Sequence, residues 1–270
     1  TGTADESLQK KIVGDVVRAI PEFGFDDSPP AMARRIHRIM ERRLGPQDFY
    51  KEIKYQSNVK ALEIYPYLKA MVDRAPERML KAVEVAIVGN VIDYGAKNTL
   101  DIEKDVDRFL ESDDLHAGKT VFDYDAFKVD LAQAKTILYL GDNAGETVFD
   151  RVLIEEIPAE KKVIFAVREK PVINDALMED AVMCGIGQTA EIMSSGVDAP
   201  GTILELCSER FLDVFASADM VISKGQGNYE TLTDASRRIY FLFRAKCPVI
   251  ARHAKVPVGD IVLMKGRGGQ

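Results

Sequence analysis

The sequence predicts an α/β protein in which an N-terminal all-helical domain packs on a Rossmann-like, mostly parallel α/β/α domain. Two observations carry this expectation. Up to about residue 115 the apolar residues recur at helical spacing, and no run reads as a strand. After about residue 130 short apolar runs alternate with helical patterns, which is the texture of βαβ units around a parallel sheet. The domain boundary is therefore placed between residues 115 and 116, with 1–115 helical and 116–270 built on the sheet.

Taken in order, helices are expected over about 5–20 and 29–44. The second is announced by Ser28-Pro29-Pro30, because proline is tolerated in a first helical turn whose N–H groups lack intrahelical partners anyway. Longer helical segments follow over about 47–74 and 76–94, the latter ending at Gly95. The strongest strand candidates are Thr136–Leu140, Val163–Val167 and Met220–Ser223, with Ile239–Phe243 and Ile261–Met264 as two more. Open α/β sheets bind ligands beyond the carboxyl ends of their strands, so the loops that follow these runs are where chemistry is sought.

Composition narrows the function classes. At 270 residues and 46% apolar content the chain can bury a sizeable core. No apolar run approaches the roughly 20 residues needed to span a bilayer, and Thr1–Lys11 is polar, so no membrane role and a cytoplasmic location are expected. A formal charge of -7 repels phosphate backbones, which argues against nucleic acid as a partner. The basic stretch Arg34-Arg35-Ile36-His37-Arg38, continued by Arg42 and Arg43, reads as a solvated helix face, since Met32, Ile36, Ile39 and Met40 occupy the opposite one. Cys184, Cys207 and Cys247 are too widely spaced for a Cys-x-x-Cys site and are read as reduced thiols. His37, His116 and His253 lack metal-ligand spacing and no GxSxG run occurs, which disfavours zinc sites and nucleophilic triads.

Three strand-following loops carry candidate chemistry. Gly141-Asp142-Asn143-Ala144-Gly145-Glu146 joins a strand to a helix. Its Asp-Asn pair offers a carboxylate and an amide oxygen, the hard ligands that Mg²⁺ and Mn²⁺ prefer, although either residue would serve equally as a helix cap. Gly145 lets a ligand approach the backbone closely, and the helix start offers unpaired N–H groups to an anion. One βαβ step later, the loop from Arg168 to Asn174-Asp175 can bring a second carboxylate beside the first, or simply cap its own helix. The third loop, Ser223-Lys224-Gly225-Gln226-Gly227-Asn228, sets a lysine before two glycines, which suits anion binding or a plain glycine turn. In the helical part, Asn90 and Asp93 sit one turn apart in an apolar stretch, where polar groups need partners; they either line the site or bond internally.

The motifs Gly89-Asn-Val-Ile-Asp93, Gly141-Asp-Asn-Ala-Gly-Glu146, Asn174-Asp175, Lys224-Gly-Gln-Gly-Asn-Tyr-Glu230 and Lys246-Cys-Pro-Val-Ile250 resemble those of the damage-control metallophosphatase family, long called domain of unknown function 89, in its prokaryotic branch. The likeness runs nearly the length of the chain. It implies hydrolysis of small phosphorylated metabolites with one divalent cation, Mg, Mn, Co or Ni. Asp142, Asn143 and Asp175 would ligate the cation, and Asp142 and Lys224 would be catalytic, Lys224 binding the phosphoryl group. Gly145, Glu146, Gly225, Gly227 and Asn228 would surround the phosphate, with Asn90, Asp93, Arg168 and Asn174 toward the substrate. Members of the branch often carry an N-terminal Cys-x-x-Cys segment, which this sequence, beginning at Thr1, does not contain. Two other functions fit parts of the pattern: an S-adenosylmethionine-dependent carboxyl methyltransferase, and a phosphometabolite sensor without turnover.

Overall fold

The computed structural model describes residues 5–90, 99–111 and 119–268. Among these residues five α-helices come first: α1 (Glu6–Ala19), α2 (Pro29–Leu44), α3 (Lys51–Arg74), α4 (Arg78–Val88) and α5 (Thr99–Glu111). No strand interrupts them among the described residues. Helix α2 starts where expected, with the Ser28 hydroxyl accepting from the Ala31 N–H and two prolines opening the first turn. Helix α4 stops at Val88, short of the expected residue 94, because Gly89 caps it and Gly89-Asn90 form a turn; residues 91–98 lie outside the described residues.

The rest alternates as the sequence suggests: α6 (Tyr124–Gln133), β1 (Thr136–Leu140), α7 (Glu146–Ile154), β2 (Lys162–Val167), α8 (Met178–Met183), β3 (Glu191–Ser194), α9 (Glu209–Ser217), β4 (Met220–Lys224), α10 (Gln226–Leu232), β5 (Tyr240–Arg244), α11 (Pro248–Ala254) and β6 (Ile261–Lys265). Strand β3 was not anticipated. It has four residues, one of them fully buried, and the sequence Glu-Ile-Met-Ser offers little apolar contrast; its place at the sheet edge explains why a weak pattern suffices.

The six strands lie in the order β3-β2-β1-β4-β5-β6, all parallel except the β5–β6 pair. This is the doubly wound order, with its reversal between β1 and β4. Side chains alternate between two cores because successive strand residues point to opposite faces. Ile137, Tyr139, Phe165 and Ile222 face a core shared with α3, α4, α5 and α7. Leu138, Leu140, Val221 and Phe241 face the other core, formed with α9, α10 and α11. The helical part thus packs over one face of the sheet together with α6, α7 and α8. The boundary expected at 115/116 falls outside the described residues.

The basic face of α2 is more than solvated. Arg34 and Arg38 both reach Asp198, Arg35 reaches Glu22 and Asp27, and Arg43 reaches Asp15, so most of these bases tie α2 to its neighbours. No helix among the described residues is long and apolar enough to cross a membrane. All three cysteines are free thiols.

Candidate metal and phosphate site

The reversal between β1 and β4 is where connections leave the sheet toward opposite faces, the place at which open α/β sheets bind ligands. The β1 turn Gly141–Glu146 and the β4 turn at Gly225 meet there. Gly225 has φ +80° and ψ 159°, a conformation closed to other residues, and a Cβ at this position would run into the Asp142 carboxylate. The backbone of the β4 turn is therefore pressed against that carboxylate. On the other side, the β2 loop runs back along the first turn: Ala144 N–H donates to Asn174 C=O at 2.9 Å, Ala176 N–H donates to Asp142 C=O at 2.8 Å, and Asn143 and Asp175 form a one-residue antiparallel bridge. Ile173, just before them, holds φ at +39°, a strained value for a branched residue and a feature that clusters at functional sites.

These contacts bring Asp142, Asn143 and Asp175 together, along with the Asn174 backbone. The helical part adds Asn90. At the end of α4, Gly89 packs so closely that a Cβ there would sit 2.8 Å from Phe149 Cβ, and this approach delivers Asn90 to the turn. Its Nδ2 donates to Asp142 Oδ2 at 2.7 Å and to Glu146 Oε2 at 2.6 Å. Asn143 Nδ2 donates to the same two oxygens, at 2.8 and 3.2 Å. Two amides thus converge on two carboxylates. Asn90 Oδ1, though buried, has no hydrogen-bond partner among the described residues. Asp93 and His116 lie outside the described residues.

Four predicted ligand contacts, Lys224, Asn228, Gly227 and Arg168, have a different place. Lys224, expected to face a phosphoryl group, is fully buried, and its Nζ donates to Ala86 C=O at 2.7 Å, Glu146 Oε1 at 2.6 Å and Asp150 Oδ1 at 2.5 Å. An ammonium has three donors, and all three are taken. Asn228 is likewise fully buried; it donates to the carbonyls of Gly141 and Lys224 and accepts from Arg168 and Thr202, which binds the β1 and β4 turns together. Gly227 is a packing glycine, since a Cβ there would run into the Pro200 C=O. Arg168 is 3% exposed and is a brace rather than an open substrate contact. Its Nε donates to Asp175 Oδ2 at 2.8 Å while Nη1 and Nη2 reach Thr202 and Asn228.

The electrostatics follow from this crowding. Glu146, Asp150 and Asp175 are buried and Asp142 is half-buried, and the cations paired with this group are Lys224 and Arg168. Four carboxylates against two cations leave an excess of two negative charges. Burial, with Glu146 and Asp175 nearby, pushes the Asp142 carboxyl up to about 8. Burial likewise raises Asp150 to about 7 although Lys224 opposes it, and Asp175 is raised by burial against the pull of Arg168. Burial alone would lower the Lys224 ammonium, but Asp150 and Glu146 hold it above its usual range.

A residue absent from the expected contacts also acts here. Lys246, two positions beyond β5, is exposed, and its charge draws the Asp142 carboxyl downward. Its ammonium has no hydrogen-bond or ion-pair partner among the described residues. The signal was in the sequence, in Lys246-Cys-Pro-Val-Ile250 after a strand, but a lone lysine before a helix does not reveal which way it faces.

The donor set suits a hard divalent cation: carboxylate oxygens, two carboxamides that can present oxygen in place of N–H, and an excess charge of the right size. No group of three His, Cys, Asp or Glu side chains among the described residues is set to hold a metal by itself, so a cation here would draw on asparagine oxygens as well. His37 and His253 engage Glu41 and Tyr229 instead.

Fold and site together define a doubly wound α/β protein with an acidic, amide-rich centre where its strand order reverses. The model of the damage-control phosphatase ARMT1-like domain matches residues 1–262. Similar proteins include a damage-control phosphatase of Pyrococcus horikoshii, 37% identical over 98% of this chain and 91% of its own, and one of Archaeoglobus fulgidus, 35% identical over 96% and 91%. An uncharacterized Methanocaldococcus jannaschii protein is 39% identical over 97% of this chain and 88% of its own. A crystal structure of a domain-of-unknown-function-89 family protein from Pyrococcus horikoshii superposes with a TM-score of 0.89 at 33% identity, covering 98% of this chain and 92% of that one. The chain belongs to the damage-control phosphatase family.

Proposed function

We propose that this protein is a divalent-metal-dependent phosphatase of small phosphomonoesters, such as sugar phosphates, phosphopantetheine-like compounds or damaged phosphometabolites. The observation that carries the reading is the excess of two negative charges around Asp142, walled by amides and largely out of water. Left uncompensated, such an excess is costly in a buried site, and one divalent cation balances it.

Asp142, Asn143 and Asp175 would hold the cation. When bound, it supplies Lewis-acid polarisation of a phosphoryl oxygen and neutralises developing charge there. The protein's own groups do the rest. Arg168 fixes the Asp175 carboxylate, and Lys224 fixes Glu146 so that its other oxygen faces Asn90 and Asn143. A phosphate dianion entering a neutralised site needs a further positive partner, and Lys246 takes the role that the sequence suggested for Lys224. Gly225 keeps a Cβ away from the Asp142 carboxylate, and Gly145 holds the turn at φ +78°, a conformation that side chains rarely adopt.

The test is phosphate release from a panel of such esters by metal-stripped protein reloaded with Mg²⁺, Mn²⁺, Co²⁺ or Ni²⁺, beside Asp142→Ala. Release that requires a cation and disappears in the variant is expected. Esters that bind without release under every cation would replace the phosphatase by a sensor.

A further inference from the structure

Beneath the metal turn lies a second, fully buried polar chain that the proposed chemistry does not use. Asn58, on α3, is completely inaccessible. Its Oδ1 accepts the Gly145 N–H at 2.7 Å and the Cys184 thiol at 3.4 Å. Its Nδ2 donates to Asp180 Oδ1 at 2.8 Å. The other oxygen of Asp180 accepts from Lys54 Nζ at 3.1 Å and from the Leu177 N–H at 2.9 Å. Lys54, itself 1% exposed, also pairs with Asp48 at 2.7 Å.

This chain removes the ambiguity of an amide side chain. The Nδ2 must face the Asp180 carboxylate, which can only accept, so the oxygen is held toward Gly145. Gly145 has φ +78° and ψ -51° and stands between the two expected ligands, Asp142 and Asn143, and Glu146. Among the described residues, its N–H is the one donor of the turn fixed by a side chain of the helical part.

We infer that Asn58 is a positioning residue for the metal centre, held in one orientation by Asp180 and Lys54, and that through Gly145 it sets the geometry in which the turn 141–146 takes a divalent cation. The inference rests on the metal reading above. Partners that orient metal-binding groups affect affinity strongly even without touching the ion.

The pattern permits a charge-conserving exchange, Asn58→Asp together with Asp180→Asn. The carboxylate placed on α3 would still accept from Gly145, and the amide placed on α8 would donate to it. The oxygen of that amide would still accept from Lys54 and Leu177. The hydrogen bonds to Gly145, Cys184, Lys54 and Leu177 are kept, the one between the two exchanged positions is reversed, and only the weak Nδ2 contact with Met183 Sδ at 4.0 Å is lost. Titration calorimetry of the metal-stripped full chain with Mn²⁺ should find Asn58→Ala and Asp180→Asn weaker binders by roughly tenfold to a hundredfold, and the double exchange restored to near the wild type. Val72→Ala, which removes packing from the same helix, should lower the melting temperature and leave Mn²⁺ affinity unchanged. Wild-type affinity in Asn58→Ala would overturn the positioning role while leaving the metal reading intact. So would an exchange that folds without recovering affinity, or an equal loss in Val72→Ala. If Asn58→Ala does not fold, the exchange against each of its single variants decides. A wild-type chain that takes up no Mn²⁺ overturns the metal reading and this inference with it.

Discussion

Lys224 ends β4 and Lys246 lies just past β5, yet their surroundings assign them opposite work. Lys224 is enclosed by three acceptors, so its charge is spent on Glu146 and Asp150; Lys246 is exposed and its field reaches Asp142. Removing Lys224 strands two buried carboxylates. Lys224→Met should therefore destabilise the fold by about 3–5 kcal/mol, read by urea unfolding. Lys246→Ala should change stability by no more than about 0.5 kcal/mol. It should nonetheless lower phosphatase kcat/KM on the order of a hundredfold, as loss of a group that stabilises developing charge does. If Lys224→Met instead unfolds like the wild type, or Lys246→Ala keeps full activity, the division of labour is wrong.

At the scale of elements, the centre exists because two strand-following turns touch where the strand order reverses. Their contact depends on Gly225, whose φ of +80° and closeness to Asp142 exclude a side chain. Gly225→Ala should cost about 1–3 kcal/mol from backbone conformation alone. Because the new methyl group would displace the Asp142 carboxylate, it should also weaken Mn²⁺ binding more than the stability loss explains. Equal affinity in a folded Gly225→Ala protein would show that the carboxylate is not where the ion binds. The edge strand β3 has a lesser part: Glu169 N–H donates to Val197 C=O at 2.9 Å, which ties the loop carrying Arg168 and Asp175 to the chain that follows β3.

For the whole molecule, the crowded carboxylates couple stability to pH. Asp142, with a pKa of about 8, and Asp150, of about 7, hold protons in the cation-free fold that the unfolded chain releases near 3.8. Their contribution to stability is fully present below that unfolded value. It is lost as pH rises through about 7 to 8. Metal-stripped protein should thus melt at a lower temperature at about pH 8.5 than at about pH 6, and saturating Mn²⁺ should remove most of the difference by replacing the protons. A melting temperature that climbs over this interval in stripped protein would contradict the excess charge assigned to the centre.

Much of this was legible from the amino acids alone. Five of the six strands, the α2 start at Ser28-Pro29-Pro30 and the succession of helices before the sheet follow from local periodicity and caps, which are properties of neighbouring residues. So was the meeting of the Gly141–Glu146 turn with Asn174-Asp175, because one βαβ step sets successive strand-following loops side by side. Direction was not legible. Whether Lys224 or Lys246 is open, whether Arg168 meets substrate or Asp175, and that Asn58 on α3 reaches Gly145 depend on which side chains are buried against which partners. Burial and partnership join residues far apart in the chain. They are decided only when the helices and the sheet close over a shared core, and the same closure leaves the two excess charges without water to screen them.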